Sequence, residues 1–441
     1  MRIILAILIT KISHFLLALI GKGSSKPGEL ALMIYPEILK EIRYPKRIVA
    51  VTGTTGKTST TMMLNKIINE SGMTVGHNLK GSNLIQGIAT TILNNSDIFG
   101  NFKRDILLLE VDERYAKLVF DYFSPTDFMV TNLSRDQLVR NIHHEYVYED
   151  VKKVINDEMT LYLNVDNPLC NKFSIDHKGQ VKYVGVNKNE LSTMESTEVL
   201  DIAYCPSCGE ALTFESFNYG NLSDYKCKSC EFKRYQPHYA VTDINLYGGE
   251  ITVNREVKLP LINKAFYNIY NIVNAYAIAN SLGINDETII KALNSKGTQE
   301  RRFDEFEVNG RKGVMLLSKN ETPISYNQSI RYVKGLEGKK TVLLGFDNVS
   351  GRYKEKDLSW LYDIDFEELN SDDISNIVCI GRFANNIAVR LKYSGISESK
   401  IIIEPQMRNI KSTLKETVGY ICAVLYFDTY QSFSKVIGGE K

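Results

Sequence analysis

Val51-Thr52-Gly53-Thr54-Thr55-Gly56-Lys57-Thr58 follows a β-branched run over 47–52 and precedes a helical pattern over 57–71. Strand, glycine turn and helix in that order make a phosphate loop. Glycines let the backbone turn tightly and aim N–H groups at phosphate oxygens. Lys57 is placed to neutralise β- and γ-phosphates, and the Thr58 hydroxyl suits Mg²⁺, which prefers oxygen ligands. Val51 stands where the common G-x-x-x-x-G-K-[ST] pattern has its first glycine, so the loop is a variant. The nucleotide-contacting set read from it is Gly53, Thr54, Thr55, Gly56, Lys57, Thr58 and Ser59.

Working outward, 106–111 (ILLLEV), 128–131 and 161–165 are further strand candidates. Glu110 closes the first of these. A carboxylate at a strand's C-terminal edge suits a catalytic or Mg²⁺ role, and the plainer alternative is a solvent-facing strand end. Strands alternating with helical stretches predict a parallel, doubly wound α/β sheet. A helix is expected at 267–281. From 302 onward a second α/β rhythm begins, with strands at 341–344, 378–380 and 400–403 and a largely helical stretch at 407–426.

The 441 residues are 44% hydrophobic and 24% charged, which excludes wholesale disorder. At roughly 150 residues per domain, two or three domains are expected. Lys and Arg total 53 against 52 Asp and Glu, so no basic excess draws the chain onto nucleic acid. Four of the seven cysteines form two pairs, Cys205/Cys208 and Cys227/Cys230, with 18 residues between the pairs. Two C-x₂-C pairs so spaced predict a tetrahedral Zn²⁺ site. All four ligands are thiolates, so the metal is expected to be structural. The surrounding 200–236 stretch reads as an inserted module. The other cysteines are scattered, which argues for a reducing compartment.

Residues 1–20 are apolar enough to resemble a signal peptide, but Lys11 and His14 interrupt them, and no run reaches the roughly 18–20 residues of a spanning helix. Lys11 and His14 share one helical face. The expectation is a helix packed on its own domain, with a membrane-interface helix as the alternative. Residues 23–27 read as a loop.

Several motifs carry a resemblance to the Mur ligase family, whose loop T-G-T-x-G-K-T matches 52–58. Tyr270-Asn271-Ile272-Val273-Asn274-Ala275 resembles the family's adenine-side motif, with Asn268 where a glycine usually stands. Asn164-Val165-Asp166-Asn167-Pro168 resembles its N-x-D-D-P. The four-cysteine insertion narrows the resemblance to the MurT branch, the ligase-like subunits of lipid II isoglutaminyl synthases. Thr131-Asn132-Leu133-Ser134-Arg135-Asp136-Gln137-Leu138, Lys319-Asn320 and the stretch 357–367 resemble that branch. Departures fall at Arg301-Arg302-Phe303-Asp304, Phe346-Asp347 and Asn386.

The resemblance implies a Mur-ligase-like central P-loop ATPase domain with an inserted zinc ribbon and a C-terminal Rossmann-like α/β domain. It implies a division into an N-terminal helical segment (1–45), a central ATP-binding domain (46–300) and a C-terminal domain (301–441). It implies ATP, Mg²⁺ and structural Zn²⁺ as cofactors, with Lys57 and Glu110 catalytic, Thr58 and Glu110 on Mg²⁺, and Asn271 and Arg302 on the nucleotide. The implied reaction amidates the D-glutamate α-carboxyl of the lipid II stem peptide through an acyl phosphate, at the cytoplasmic side of the membrane. No cysteine or histidine here has the context of a glutaminase, so ammonia is expected from a partner, the GatD subunit of that branch. Asp357 is expected to complete the partner's Cys–His pair; the plainer reading is an Asp capping a turn before Ser359-Trp360. The rival readings are an amino-acid-adding Mur or folylpolyglutamate-type ligase, and a non-catalytic nucleotide-binding module whose ribbon grips nucleic acid.

Overall fold

A computed structural model describes residues 1–19, 23–78, 82–135, 143–246, 248–261, 265–295, 303–318, 322–346 and 357–438. They form two compact units. The first holds Met1–Ser134, His144–Met194 and Ile202–Thr298; the second holds Arg135–His143, Glu195–Asp201 and Gln299–Lys441.

In the first unit the strands are β1 (Arg47–Thr52), β2 (Val75–His77), β3 (Ile106–Glu110), β4 (Asp127–Val130), β5 (Thr160–Asn164), β6 (Val181–Val186), β7 (Leu212–Tyr219), β8 (Leu222–Cys227), β9 (Tyr239–Asn245), β10 (Glu250–Val253) and β11 (Val257–Pro260). Nine of them build one sheet in the order β11-β10-β9-β6-β5-β4-β1-β3-β2. β1 lies between β3 and β4 and is parallel to both. From β1 the chain runs to the edge strand β2, returns to β3 beside β1 and then crosses to β4 on the other side, so a topological switch point falls at the C-terminal end of β1, where α/β sheets bind ligands.

The strands are apolar on both faces, as a sheet covered on both sides requires. Ala50, Leu107, Leu109, Phe128 and Val130 join a core with Ala6, Ile7, Ala31, Ile88 and Ile92 from helices. Val49, Val51 and Leu108 alternate with these residues and are equally buried. Helices Lys57–Glu70 and Phe266–Ser281 pack on the sheet and on each other. The second is buried along nearly its whole length, Asn268, Asn271 and Asn274 included.

The inserted module falls between β6 and β9, which pair directly with each other. Its core is the antiparallel hairpin β7–β8. The N-terminal stretch forms helix Arg2–Ala18, which buries Ala6, Ile7 and Thr10. Lys11 donates to the Asn94 carbonyl at 2.9 Å and His14 Nδ1 lies 2.8 Å from the Gly23 carbonyl, so the shared face of the two points into the domain. The loop expected at 23–27 is shorter than that. Lys26 and Pro27 already open helix Lys26–Ile34, because proline is preorganised for a first helical turn.

The second unit adds β12 (Phe303–Val308), β13 (Arg311–Leu317), β14 (Lys340–Gly345), β15 (Ile374–Ile380), β16 (Ile401–Glu404) and β17 (Tyr420–Leu425). Their order is β12-β13-β17-β14-β15-β16, and only the edge pairing β12–β13 is antiparallel. The expectation of a largely helical 407–426 is corrected here. Only Ile410–Thr413 is α-helical, and β17 runs parallel between β13 and β14 in the middle of the sheet. The helical part ends at Glu416, where Thr417 turns extended, and beyond Gly419, at φ 83°, the buried run YICAVL propagates as a strand. Trp360 is core, packed against Tyr326 and Phe346.

Candidate active site

The loop after β1 is held by the segment after β4. Thr54 N–H donates to the Asn132 carbonyl at 2.8 Å, and Thr55 N–H to Asn132 Oδ1 at 3.1 Å. Asn132 Nδ2 returns a bond to the Thr55 carbonyl at 3.1 Å, and Thr131 Oγ1 donates to the same oxygen at 2.6 Å. Gly53 has φ 129° and Gly56 φ 83°, both in the region that favours glycine. A Cβ on Gly53 would strike Thr131 Oγ1, and one on Gly56 would strike Asn271 Oδ1. The loop is therefore glycine-dependent through both its backbone and its neighbours, and Asn271 lies directly against it.

Helix Lys57–Glu70 starts at Gly56, and its first internal bond is Thr60 N–H to the Gly56 carbonyl at 2.9 Å. The N–H groups of Lys57, Thr58 and Ser59 have no acceptor within the helix, so the positive end of its dipole opens at the loop. Thr58 is half-buried in this turn and Ser59 is buried.

Lys57 Nζ donates to the Gly53 carbonyl and, at 2.7 Å, to Glu113 Oε1. Burial alone would lower its pKa, but the carboxylates of Glu113, Glu110 and Asp112 outweigh burial and hold it above the usual lysine value. Lys57 is thus a fixed cation at the mouth of a helix N-terminus. Glu110 is buried at the end of β3. Its backbone exchanges two bonds with the Asn78 side chain, 2.8 and 2.7 Å, and Asn83 Nδ2 reaches its carboxylate at 3.3 Å.

The loop residues, Glu110 and Asn271 thus come together in the first unit. The sequence reading missed Glu113 as a site residue. Its signal was present in Glu110-Val111-Asp112-Glu113, where the carboxylate that reaches Lys57 lies on the loop beyond the strand. Thr131 and Asn132 were noticed only as a motif. Arg302 lies outside the described residues, as do Lys319, Asn320 and Asp347. On helix Phe266–Ser281, Asn268 Nδ2 and Asn274 Oδ1 are buried without a hydrogen-bond partner among the described residues. At positions three before and three after Asn271 they share its face.

The four cysteines converge. Their sulfurs all lie within 4.8 Å of one another, with Cys205–Cys230 at 3.6 Å and Cys208–Cys227 at 3.5 Å. Thiolates about 2.3 Å from a tetrahedral Zn²⁺ stand about 3.8 Å apart, so the cluster fits a metal ion. Ser229 N–H donates to Cys227 Sγ at 3.4 Å, and this bond heads the causes that bring the Cys227 thiol down to about 7. The other three thiols are pushed up, Cys205 by burial, so the four-sulfur geometry, not the acidity of the thiols, carries the metal reading.

A buried carboxylate helps tie the module to the sheet, alongside Tyr225 OH, which donates to the Val165 carbonyl at 3.0 Å. Asp166 accepts from Arg234 Nε at 2.7 Å, from Val186 N–H at 2.7 Å and from Tyr270 OH at 2.6 Å. Arg234 follows the second cysteine pair, and Tyr270 immediately precedes Asn271. None of the three was marked as a site residue by sequence.

In the second unit, Asp357 Oδ1 accepts the Ser359 N–H at 2.8 Å, and its carbonyl accepts Trp360 Nε1–H at 3.1 Å. It opens the 3₁₀ turn Ser359–Asp363.

Residues 317–432 match the family described as MurT ligase C-terminal. The chain is 31% identical over 434 residues to the lipid II isoglutaminyl synthase (glutamine-hydrolyzing) subunit MurT of Streptococcus pneumoniae, covering 96% of this chain and 93% of that one. Among solved structures, a pseudomurein peptide ligase type C from Methanothermus fervidus superposes with TM-score 0.71 at 19% identity, over 92% of this chain and 81% of that one. The MurF ligase from Thermotoga maritima in complex with ADP gives TM-score 0.58 at 16% identity, over 92% and 83%. The fold is Mur-ligase-like α/β.

Proposed function

The chain belongs to the MurT family, and from that membership we propose that it is the ligase subunit of a glutamine-hydrolysing lipid II isoglutaminyl synthase. It activates the D-glutamate α-carboxyl of the lipid II stem peptide as an acyl phosphate. Ammonia then forms the C–N bond, phosphate leaves, and D-isoglutamine remains. The observation that carries this reading is the phosphate loop fixed by Thr131 and Asn132 at the sheet's switch point, with Lys57 charged at its mouth.

The residues fit a magnesium-nucleotide. The N-terminal N–H groups of helix Lys57–Glu70 and the Lys57 ammonium suit its phosphates. Thr58 and Glu110 are assigned to Mg²⁺, Gly53–Ser59 and Arg302 to the nucleotide, and Asn271 to its adenine. When bound, ATP supplies the phosphoryl group that activates the carboxyl, and Mg²⁺ spreads its charge. Lys57 holds a positive charge where negative charge builds up, and the rigid loop positions it without reorganisation. Cys205, Cys208, Cys227 and Cys230 hold a structural Zn²⁺, with no open position for chemistry.

Ammonia comes from a glutaminase partner of the GatD type. We assign Asp357 to that partner's Cys–His pair, since a carboxylate that orients an imidazole raises its basicity. The chain works in the cytoplasm on a membrane-borne substrate, with 1–45 as an N-terminal helical segment, 46–300 as the ATP-binding domain and 301–441 as the C-terminal domain.

The test is amidation of lipid II by the purified chain with its glutaminase partner, read by mass spectrometry. Conversion that requires ATP and glutamine or ammonium is expected. Incorporation of an amino acid in place of ammonia, or no magnesium-nucleotide uptake by calorimetry, would overturn the reading.

A further inference from the structure

Helix Arg2–Ala18 is apolar on two sides. One side is bedded in the first unit through Ala6 and Ile7. On the other, Leu5, Leu8, Ile12, Phe15, Leu16 and Leu19 are 51, 40, 59, 68, 56 and 73% exposed. Steps of three and four put these six in one stripe along the helix.

The polar residues of the helix lie elsewhere. Lys11 reaches the Asn94 carbonyl, His14 meets the Gly23 carbonyl, and the Thr10 and Ser13 hydroxyls donate to their own helix's backbone. This reverses the usual surface helix, which turns its polar face to water. The stripe carries no charged side chain over about five turns. A continuous exposed apolar surface of this kind marks a docking site.

The charge around it selects the occupant. Lys26 is paired with Glu29 at 2.8 Å and Lys11 is turned into the domain, but residues 1–47 as a whole contain eight Lys and Arg against three Glu, a net +5 in a chain whose formal net charge is only +1. An apolar stripe within a cationic segment matches the headgroup boundary of an anionic bilayer. No helix among the described residues is long and apolar enough to cross a membrane, so the contact proposed is with the surface.

We propose that helix Arg2–Ala18 docks the first unit on an anionic lipid surface, its Leu8–Ile12–Phe15 stripe entering the boundary between headgroups and acyl chains. The proposal stands on this helix alone, so it can fail while the ligase reading holds, and the reverse.

The experiment is flotation of the full-length chain with vesicles of phosphatidylglycerol and phosphatidylcholine, against phosphatidylcholine alone. The chain is expected to float with the anionic vesicles and to release at about 0.5 M salt, where charges are screened within a few ångströms. The double variant Ile12→Asp/Phe15→Asp replaces exposed side chains, so its melting and nucleotide uptake should match the parent. Its bound fraction should fall at least about tenfold. If that variant melts early, Phe15→Ser reads the same loss with less disturbance. A parent chain that stays in the soluble fraction would overturn the proposal, as would a folded variant that floats equally well. A parent dimer that the variant turns into a monomer, by light scattering, would assign the stripe to a second copy of the chain instead.

Discussion

Lys57 Nζ and Glu113 Oε1 stand 2.7 Å apart, with both side chains only 11% exposed. The pair joins the phosphate-loop helix to the loop beyond β3 and links elements 56 residues apart in sequence. Two charges so nearly dry are stable together and costly apart.

Lys57→Ala should reduce ATP-dependent amidation by at least about 10³-fold, because a preorganised cation facing developing negative charge is lost. The fold and zinc content should persist, read by circular dichroism and by metal analysis. Retained activity would contradict the loop assignment.

Lys57→Met should also destabilise the fold by about 3 kcal/mol, since it strands the Glu113 carboxylate. The pH dependence has a definite sign. The folded-state pKa of Lys57 lies above its ordinary 10.5, so the ammonium's contribution is fully present below about 10.5 and fades as pH rises through the folded value. Denaturant melts of the two proteins should differ by a constant amount from pH 7 to pH 10 and converge only in stronger alkali. Convergence near pH 8 would refute the raised pKa.

Cys205→Ser should remove the metal and loosen the ribbon. A loss of about 3 kcal/mol would lower the melting midpoint by about 6 °C or more. An unchanged midpoint with full zinc content would rule out a structural site.

Tyr270→Phe removes a hydroxyl that donates to Asp166 and accepts from Asn218 Nδ2 at 2.9 Å. Losing a hydrogen bond to a buried carboxylate costs about 1–3 kcal/mol. Because Tyr270 adjoins Asn271, KM for ATP should rise more than kcat falls. A drop in stability with KM and kcat both unchanged would place Tyr270 in the scaffold alone.

Asp357→Asn should impair amidation driven by glutamine and spare amidation driven by ammonium salts. The carboxamide keeps an oxygen for the Ser359 N–H, so the turn should survive. Equal loss with both nitrogen sources would count against a role in the partner's chemistry.

Much of the first unit was legible because its signals are local. Strands β1, β3, β4 and β5 are short apolar runs bounded by turns, and the loop at 53–58 declares itself by residue type. The cysteine spacing likewise foretold that four sulfurs would meet. What escaped depends on contacts across the chain. Tyr420–Leu425 has no periodicity to separate a buried strand from a buried helix, and only its pairing with β13 and β14 decides the matter. Glu113 resembles any loop carboxylate until the fold brings it to Lys57. Asp166 was seen as part of a motif, but its partners Arg234 and Tyr270 lie 68 and 104 residues further on.

That last separation sets an order of events during synthesis. The Asp166 carboxylate lacks two of its donors until Arg234 has left the ribosome, and one of them until Tyr270 has followed. The first 230 residues can assemble strands and gather sulfurs, but the sheet around β5 and β6 closes only when helix Phe266–Ser281 arrives. A nascent chain halted before that helix should therefore remain protease-sensitive in a region whose strands are already complete.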